Sequence, residues 1–244
     1  MDITIYVFAA LGVFFFGIAK GGFAGPISML AVPLMSFVMS PLHAAGILLP
    51  LLVLMDIIAV VIFWKKWNIQ ILKIIIPASI IGITFGAFTF QYTTENQIRL
   101  IVGIITILFV VISFVQKNNL LLKPTNKKGY FWAGTSGYTS FLIHAGAPPM
   151  NFYLLPLKLD KMTYIGTATF AYFIINSVKL MPYYFLGLLS PVNLKISISL
   201  IPIAIVSVGI GYYLQKKISE KLFFNLIYIL LFLSGLKLIF DGVY

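Results

Sequence analysis

Long apolar segments separated by short polar or Gly/Pro-containing breaks occupy almost the whole chain. They lie at about 3–18, 26–39, 43–63, 72–90 and 98–115, and again at about 129–143, 148–157, 163–187, 195–214 and 222–240. A helix that crosses the hydrocarbon core of a bilayer needs about 20 mostly apolar residues. The pattern therefore predicts an all-α polytopic membrane protein. The first segment lacks a basic flank and a small-residue cleavage site, so we expect a retained span and not a signal peptide.

The composition supports this prediction and excludes several classes of site. Hydrophobic residues make up 61% of the chain and charged residues 9%, against about 25% charged in soluble domains. The net charge of +11 comes from lysines in short loops between apolar segments, which is typical of membrane topology and not of nucleic-acid binding. Cysteine is absent, which excludes thiolate metal sites and cysteine nucleophiles. We predict no metal and no cofactor.

The chain divides into two halves of similar length. We predict a first transmembrane repeat over 1–115, a basic cytoplasmic linker over 116–128 and a second transmembrane repeat over 129–244. An offset of 123 residues superposes several small residues and prolines of the two halves: Ala24 on Ala147, Pro26 on Pro149, Pro33 on Pro156, and Ala45 on Ala168. Each half also has a short broken segment followed by a long one, which indicates pseudo-symmetric repeats.

The distribution of basic residues predicts the orientation of the halves. With five membrane segments per half, 13 lysines share one side and Arg99 and Lys195 face the other, while Lys179 and Lys237 lie within segments. With four crossings per half the same count is about 8 against 6. The positive-inside rule favours the first arrangement. It predicts inverted repeats in the plasma membrane, with cytoplasmic basic loops and both termini outside.

Segments 26–39 and 148–157 are shorter than the others. They contain 10 to 14 residues, too few for a comfortable helical crossing. Non-helical backbone at membrane depth is tolerated where protein buries it or where it lines a cavity. Broken or re-entrant helices are therefore expected here, and the sequence leaves open whether these segments cross or return.

The run Gly17-Ile-Ala-Lys-Gly-Gly-Phe-Ala-Gly-Pro26 precedes the first short segment. Glycines allow close approach of the backbone to a ligand, and a helix beginning near Pro26 directs N–H groups and a partial positive charge towards it. Lys20 adds a full charge. This pattern predicts an anion-binding site formed by Lys20, Gly21, Gly22, Gly25 and Pro26. The alternative is an interfacial turn in which Lys20 extends to lipid headgroups.

A second break, His144-Ala-Gly-Ala-Pro-Pro-Met-Asn151, precedes the second short segment. We predict that His144, Gly146, Pro148 and Pro149 also contact the substrate. Histidine can bind an anion or carry a proton, and the alternative is a structural, hydrogen-bonded histidine. Paired discontinuous helices at a repeat interface form the binding sites of many transporters.

Three polar residues interrupt the long apolar segments. Asn176 is a further predicted substrate ligand, whereas Asp56 and Lys179, related by the offset of 123, are predicted to act in gating or coupling. A charge at this depth costs about 2.5–3.5 kcal/mol on insertion scales, so it should be paired or line a cavity. The alternative is a structural ion pair, or a lysine that reaches the interface. Small residues at Gly82, Gly86, Ser207, Gly209 and Gly211 are predicted to allow close helix packing.

Taken in order, these motifs resemble a known family. The first half has the Lys-Gly-Gly run, then Ala44-Ala45-Gly46, Pro50 and Asp56. The second half has Gly134-x-x-Gly137, Ala-Gly-Ala-Pro-Pro149, Gly166-Thr-Ala with Asn176 and Lys179, and Gly187 after Tyr183-Tyr184. Their order and spacing, over nearly the whole chain, resemble the TauE/SafE family of sulfite exporters and toluene-sulfonate uptake permeases.

This resemblance implies a plasma-membrane permease for small anions that often contain sulfur. It implies roles for residues that match the first motif (Lys20, Gly21, Gly22, Gly25 and Pro26) and the second (Gly146, Pro148, Pro149, Asn176 and Lys179). His144-Ala-Gly-Ala departs from the richer Gly-x-Gly-Gly pattern of the family, which leaves the substrate in doubt.

The leading hypothesis is a secondary transporter for a small anion, with proton coupling as an open question. The expected partners are this anion and the lipid bilayer, not nucleic acid, and whether copies form a homo-oligomer is left open. A membrane enzyme is disfavoured because the chain has two histidines and no His-Glu-x-x-His or serine nucleophile motif. A channel, or a non-transporting membrane subunit or scaffold, remains the alternative.

Overall fold

The computed structural model describes residues 3–23, 26–90, 92–115, 124–214 and 220–243. These residues form ten α-helices and no strand, which confirms the prediction of an all-α polytopic membrane protein. The helices are α1 (Ile3–Ile18), α2 (Ala31–Met35), α3 (Pro41–Ile62), α4 (Ile69–Phe90), α5 (Glu95–Val115), α6 (Asn126–Ile143), α7 (Ala147–Leu154), α8 (Lys161–Phe185), α9 (Pro191–Leu214) and α10 (Glu220–Val243).

Five described helical stretches are long and apolar enough to cross a bilayer. They are Ile3–Gly21, Pro41–Ile62, Ile69–Phe90, Glu95–Ile112 and Pro191–Leu214. Helix α8 has 25 residues, about 37 Å at 1.5 Å per residue, but carries the buried polar residues Asn176 and Lys179. Its length therefore suits a crossing, and its polarity marks it as a wall of the protein interior.

Polar caps fix where several of these helices begin. Ser40 accepts a hydrogen bond from the His43 N–H, and Pro41 follows at the first position of α3, as the sequence predicts. Asp160 accepts from two backbone N–H groups at the start of α8. Thr125 caps α6, which therefore begins inside the stretch predicted as a linker. Residues 116–123 of that stretch lie outside the described residues.

Two short segments interrupt the bundle where the sequence predicts them. The first is a 3₁₀ turn (Pro26–Leu30) followed by α2, and the second is α7 followed by a 3₁₀ turn (Leu155–Leu157). At their helical rise each extends about 18 Å, well short of the hydrocarbon core of about 30 Å. Neither is long enough to cross a bilayer alone, so each forms a broken helix that begins in the protein interior.

The two halves pack against each other in a reciprocal pattern. Helix α1 packs on α9 of the other half, and α6 correspondingly packs on α4, while α3 contacts α8 and α5 contacts α10. When the two halves are exchanged, the α1–α9 pair corresponds to the α6–α4 pair, and the α3–α8 and α5–α10 pairs each correspond to themselves. Related halves would produce this pattern, and their inverted orientation stays a prediction from charge.

Small residues allow the reciprocal contacts α4–α6 and α1–α9. A Cβ added at Gly82 would lie 2.0 Å from the Gly134 carbonyl oxygen, and one at Gly211 would lie 2.4 Å from the Ile18 carbonyl oxygen. Gly86 faces the Phe141 side chain and Ser207 faces Gly17 in the same close manner. The packing prediction is confirmed for these four residues. It is wrong for Gly209, which is exposed and where an added Cβ would meet nothing within 4 Å.

A buried cavity between the two helix breaks

Residues of both helix breaks line one cavity. The π-helical turn Ala19–Phe23 after α1 contributes Lys20, the α6–α7 break contributes His144, and α8 contributes Tyr172 and Asn176. The cavity measures about 40 Å³, space for about three water molecules. Phe16, Leu52 and Ile165 add apolar wall. The fold thus joins polar groups from both halves around a space that suits a ligand of a few atoms.

Asp56 is completely buried and is held by two donors. The Lys20 ammonium forms an ion pair with Asp56 Oδ1, and Asn176 Nδ2 donates to Asp56 Oδ2 at 2.6 Å. A lone buried carboxylate would be strongly destabilising, and both bonds offset that cost. The Lys20 side chain is 10% exposed, and its ammonium lies 4.9 Å from the centre of the Tyr172 ring. The Lys20 ammonium therefore contacts both the cavity and the Asp56 carboxylate.

Lys179 is also completely buried, and it uses all three of its protons. Its ammonium donates to the Ser140 carbonyl oxygen at 3.0 Å, to Ser140 Oγ at 3.0 Å and to His144 Nδ1 at 2.8 Å. An ionised Lys179 can only donate, so in that state Nδ1 accepts. The neutral imidazole then carries its proton on Nε2, which donates to the Ala45 carbonyl oxygen at 2.9 Å. His144 is thus fixed as one neutral tautomer by both of its ring nitrogens.

His144 occupies a backbone conformation that glycine adopts more easily. It ends α6 with a φ of 57°, in the left-handed region. For a residue with a Cβ, this conformation costs about 1–2 kcal/mol. The hydrogen bonds from the ring to Lys179 and Ala45 offset that strain and hold the break open beside the cavity. The structure therefore places a histidine side chain where a glycine would leave the wall bare.

Each lysine pairs with a residue of its own half, but the lysine lies at the helix break in one half and on the long helix in the other. In the first half Lys20, at the break, pairs with Asp56 on α3, 36 residues later. In the second half His144, at the break, pairs with Lys179 on α8, 35 residues later. With Lys20, Lys179 and Asp56 ionised and His144 neutral, the four groups carry two positive charges and one negative charge. The net charge of +1 lies in a region of low dielectric, where it attracts an anion more strongly than in water.

The predicted site residues divide into three groups by their place in this structure. Lys20, His144 and Asn176 line the cavity, and Asp56 and Lys179 are bonded directly behind them. The lysines are buried in hydrogen-bonded pairs, so neither extends to lipid headgroups. Lys20 is therefore not a loop residue. Without it, the basic loop residues still lie mostly on the side predicted to be cytoplasmic.

The predicted glycines and prolines have other surroundings. A Cβ added to Gly21 would lie 2.4 Å from the Val208 carbonyl oxygen on α9, and one on Gly146 would lie 2.9 Å from Ser136 Oγ on α6. These glycines therefore allow helix contacts that shape the breaks. Gly22 lies in the π-helical turn and Pro26 begins the first 3₁₀ turn, while Gly25 lies outside the described residues.

Pro148 and Pro149 occupy the first turn of α7. Proline has no N–H, so this helix start can offer an anion at most the N–H groups of Gly146 and Ala147. The positive end of the helix dipole remains. A ligand here would consequently depend on side-chain donors more than on the backbone cradle that the sequence suggests.

Sequence reasoning missed Ser140 and Tyr172. Ser140 supplies two of the three acceptors of Lys179, and Tyr172 lines the cavity beside Lys20. Helical periodicity could have found Tyr172, because positions 172, 176 and 179 share one face of α8 at i, i+4 and i+7. The chain contains many aromatic residues, so nothing in the sequence directed attention to the helical position of Tyr172.

A wider depression of about 680 Å³ lies elsewhere, lined in part by Glu95, Arg99 and Asp241. Its carboxylates outnumber its guanidinium, and Arg99 already donates to the Ser36 carbonyl oxygen at 3.3 Å. This depression is therefore less suited to an anion than the cavity between the breaks.

A family model described as sulfite exporter TauE/SafE matches residues 9–238. The chain belongs to this family. The match includes both breaks and all four paired groups of the cavity, and it confirms the resemblance drawn from the motifs. No match was found among curated proteins or solved structures. TauE/SafE proteins are membrane transporters, so the cavity of this TauE/SafE chain lies in a transporter fold.

Proposed function

We propose that this TauE/SafE protein is a secondary transporter that moves a small anion, either sulfur-containing or organic, across the plasma membrane. The observation that carries the proposal is the cavity lined by Lys20, which pairs with Asp56 and has a second buried lysine, Lys179, beside it. A monoanion beside Lys20 would neutralise this cluster. Two unit charges 4 Å apart interact by about 4 kcal/mol at an effective dielectric of 20, enough to favour an anion over a neutral solute of the same size.

The size and walls of the cavity support a small substrate with an apolar part. The volume of about 40 Å³ fits a few non-hydrogen atoms. Phe16, Leu52 and Ile165 can contact a short alkyl group, while Lys20 contacts the charged end. A small sulfonate, sulfite or carboxylate has this chemistry.

Asp56 is the group that we propose couples transport to protons. Its carboxylate already binds the Lys20 ammonium, so a bound anion and Asp56 compete for the same cation. A proton on Asp56 would remove the competitor and favour substrate binding. His144 lines the same cavity and is bonded to Lys179, and movement of one half against the other would open the cavity to alternate sides. The chain has no Walker A motif of its own, so an ion gradient or a partner would drive transport.

The experiment is flux into proteoliposomes that contain the purified protein. Sulfite, sulfate, methanesulfonate, acetate and chloride are the test anions. Wild-type protein should show saturable uptake of at least one oxyanion. Lys20→Gln should lower kcat/KM at least about tenfold, because a charged hydrogen-bond donor is lost. The matched control is Lys237→Gln, which also removes a lysine paired with an aspartate and should leave uptake unchanged.

A double variant keeps the test valid if Lys20→Gln misfolds. Lys20→Gln with Asp56→Asn removes both charges of the pair, so no unpaired carboxylate remains buried. This variant should fold and should show a kcat/KM lowered at least about tenfold, as Lys20→Gln does. Uptake at the wild-type rate would show that Lys20 does not bind substrate. Absence of flux in wild-type protein, with and without a proton gradient, would favour a non-transporting subunit, and unsaturable flux without exchange would favour a channel.

A further inference from the structure

The hydroxyl group of Tyr172 is buried without a hydrogen-bond partner. Among the residues that the structure describes, it is the one buried side-chain oxygen or nitrogen in this situation. Buried polar groups are nearly always paired, and an unpaired one in a native structure calls for an explanation. Tyr172 lies on α8, lines the cavity and has the Lys20 ammonium 4.9 Å from its ring centre.

The other buried tyrosines of α8 do not share this feature. The Tyr164 hydroxyl donates to Asn151 Oδ1 at 2.7 Å, and the Tyr183 hydroxyl donates to the Phe141 carbonyl oxygen at 2.6 Å. The tyrosine hydroxyls at positions 164 and 183 of α8 therefore have protein partners, and the one at position 172 between them does not.

The polar neighbours in the cavity wall are occupied by each other. His144 is bonded through both ring nitrogens, and the Asn176 amide donates to Asp56. The Ser136 hydroxyl on α6 lies close enough to interact with Tyr172, but it forms no hydrogen bond with it and donates its own proton to the Gly146 carbonyl oxygen at 2.7 Å. An acceptor brought in by a ligand would satisfy the Tyr172 hydroxyl, and an oxyanion carries several.

We propose that Tyr172 donates its phenolic proton to an oxygen of the transported anion and determines specificity for oxyanions. The inference rests on the proposed function and names the residue that selects among anions. Lys20 and Tyr172 would bind two different oxygens of one carboxylate, sulfonate or sulfite. A halide is a weaker hydrogen-bond acceptor than the charged oxygen of an oxyanion, so it gains less from the Tyr172 hydroxyl. The charge of Lys20 attracts any anion, and the Tyr172 hydroxyl favours the binding of anions that have oxygen atoms.

The test compares Tyr172→Phe with the matched control Tyr164→Phe on the same helix. Binding of sulfite, methanesulfonate, acetate and chloride is measured by calorimetry on purified protein, together with uptake and the ligand-free melting temperature. Tyr172→Phe should weaken oxyanion binding at least about tenfold, raise KM by the same factor and leave chloride binding unchanged. Its ligand-free melting temperature should not fall, because the change removes an unpaired polar atom.

Tyr164→Phe should give the opposite result. It removes a paired hydroxyl and leaves Asn151 without its donor, so the ligand-free melting temperature should fall while oxyanion affinity stays unchanged. This contrast distinguishes a ligand contact from a structural hydrogen bond.

Other outcomes separate this inference from the transport proposal. If wild-type protein binds an oxyanion and Tyr172→Phe binds it equally well, the specificity role is overturned and the transporter stands. A lower melting temperature or failure to fold in Tyr172→Phe would assign the hydroxyl a structural role and also overturn it. If wild-type protein neither binds nor moves any of the four anions, both proposals fall.

Discussion

Asp56 holds the Lys20 ammonium and the Asn176 amide at the same time, one with each carboxylate oxygen. Because the Asp56 carboxylate binds the ammonium that a transported anion would need, Asp56 competes with the substrate for Lys20. The groups that surround it are Lys20 from the break after α1, and Asn176 and the more distant Lys179 from α8. At the scale of single residues, the coupling proposal therefore depends on the negative charge of Asp56.

Replacing Asp56 with asparagine should strengthen anion binding and remove its pH dependence. In the wild type a proton on Asp56 frees Lys20, so affinity should rise as the pH falls. In Asp56→Asn there is no carboxylate to titrate, and the net charge of the cluster rises from +1 to +2. The measurement is binding of methanesulfonate between about pH 5 and pH 8, an anion that stays singly charged over this range.

The matched control for this prediction is Asp241→Asn, which removes the other carboxylate seen in an ion pair with a lysine. It should keep the pH dependence of the wild type. An unchanged pH slope in Asp56→Asn would assign the proton-sensitive step to another group and contradict the coupling role.

At the scale of elements, close helix crossings decide where the breaks can meet. Helix α4 approaches α6 through Gly82, and the corresponding contact of α1 with α9 runs through Gly17, Gly21 and Gly211. In both pairs a missing side chain allows backbone contact, which is the main way that helices pack closely in lipid. These contacts hold the break-bearing helices α1 and α6 against the opposite half.

Gly82→Ala and Gly209→Ala should have opposite effects on stability. The added Cβ at Gly82 would lie 2.0 Å from backbone, whereas at Gly209 it would meet open space. Forced overpacking costs about 1–3 kcal/mol, so Gly82→Ala should lower the melting temperature in detergent and reduce uptake. Gly209→Ala should leave it unchanged or raise it, because alanine favours a helix by about 1 kcal/mol over glycine. Equal stability of the two variants would contradict the proposed packing role of Gly82.

At the scale of the whole molecule, the reciprocal packing of the halves gives the cavity one wall from each. The breaks at Lys20 and His144 belong to different halves, and α8 of the second half closes the space between them. A relative movement of the halves would therefore change the cavity and its access together. The proposed orientation, with basic loops in the cytoplasm, sets the sides between which access alternates.

Cysteine labelling tests this orientation without background, because the chain contains no cysteine. Tyr92→Cys lies exposed between α4 and α5, and Lys127→Cys lies exposed near the start of α6. In intact cells, a membrane-impermeant maleimide should label Tyr92→Cys, and it should label Lys127→Cys only after the membrane is opened. The reverse pattern would overturn the orientation, and labelling of both in intact cells would place the two loops on the same outer side.

The sequence was enough to predict a membrane protein, the segments that form its helices and its family. These follow from local features: apolar length, caps such as Ser40, prolines at helix starts, and glycine motifs in a fixed order. It also singled out Lys20, Asp56, His144 and Lys179, because a charged or ionisable group in an apolar segment needs a reason to be there.

Which of these groups are partners depends on how the helices pack, and the sequence did not show it. The offset between the halves relates Asp56 to Lys179, yet each pairs with the break of its own half, because helices fold back and bring residues 35 and 36 positions apart into contact. The unpaired hydroxyl of Tyr172 and the contacts of Gly21 with α9 likewise depend on packing between distant helices. A sequence shows which buried polar groups need hydrogen-bond partners. Which residues serve as those partners depends on distances between segments far apart in the chain, and local sequence patterns do not contain these distances.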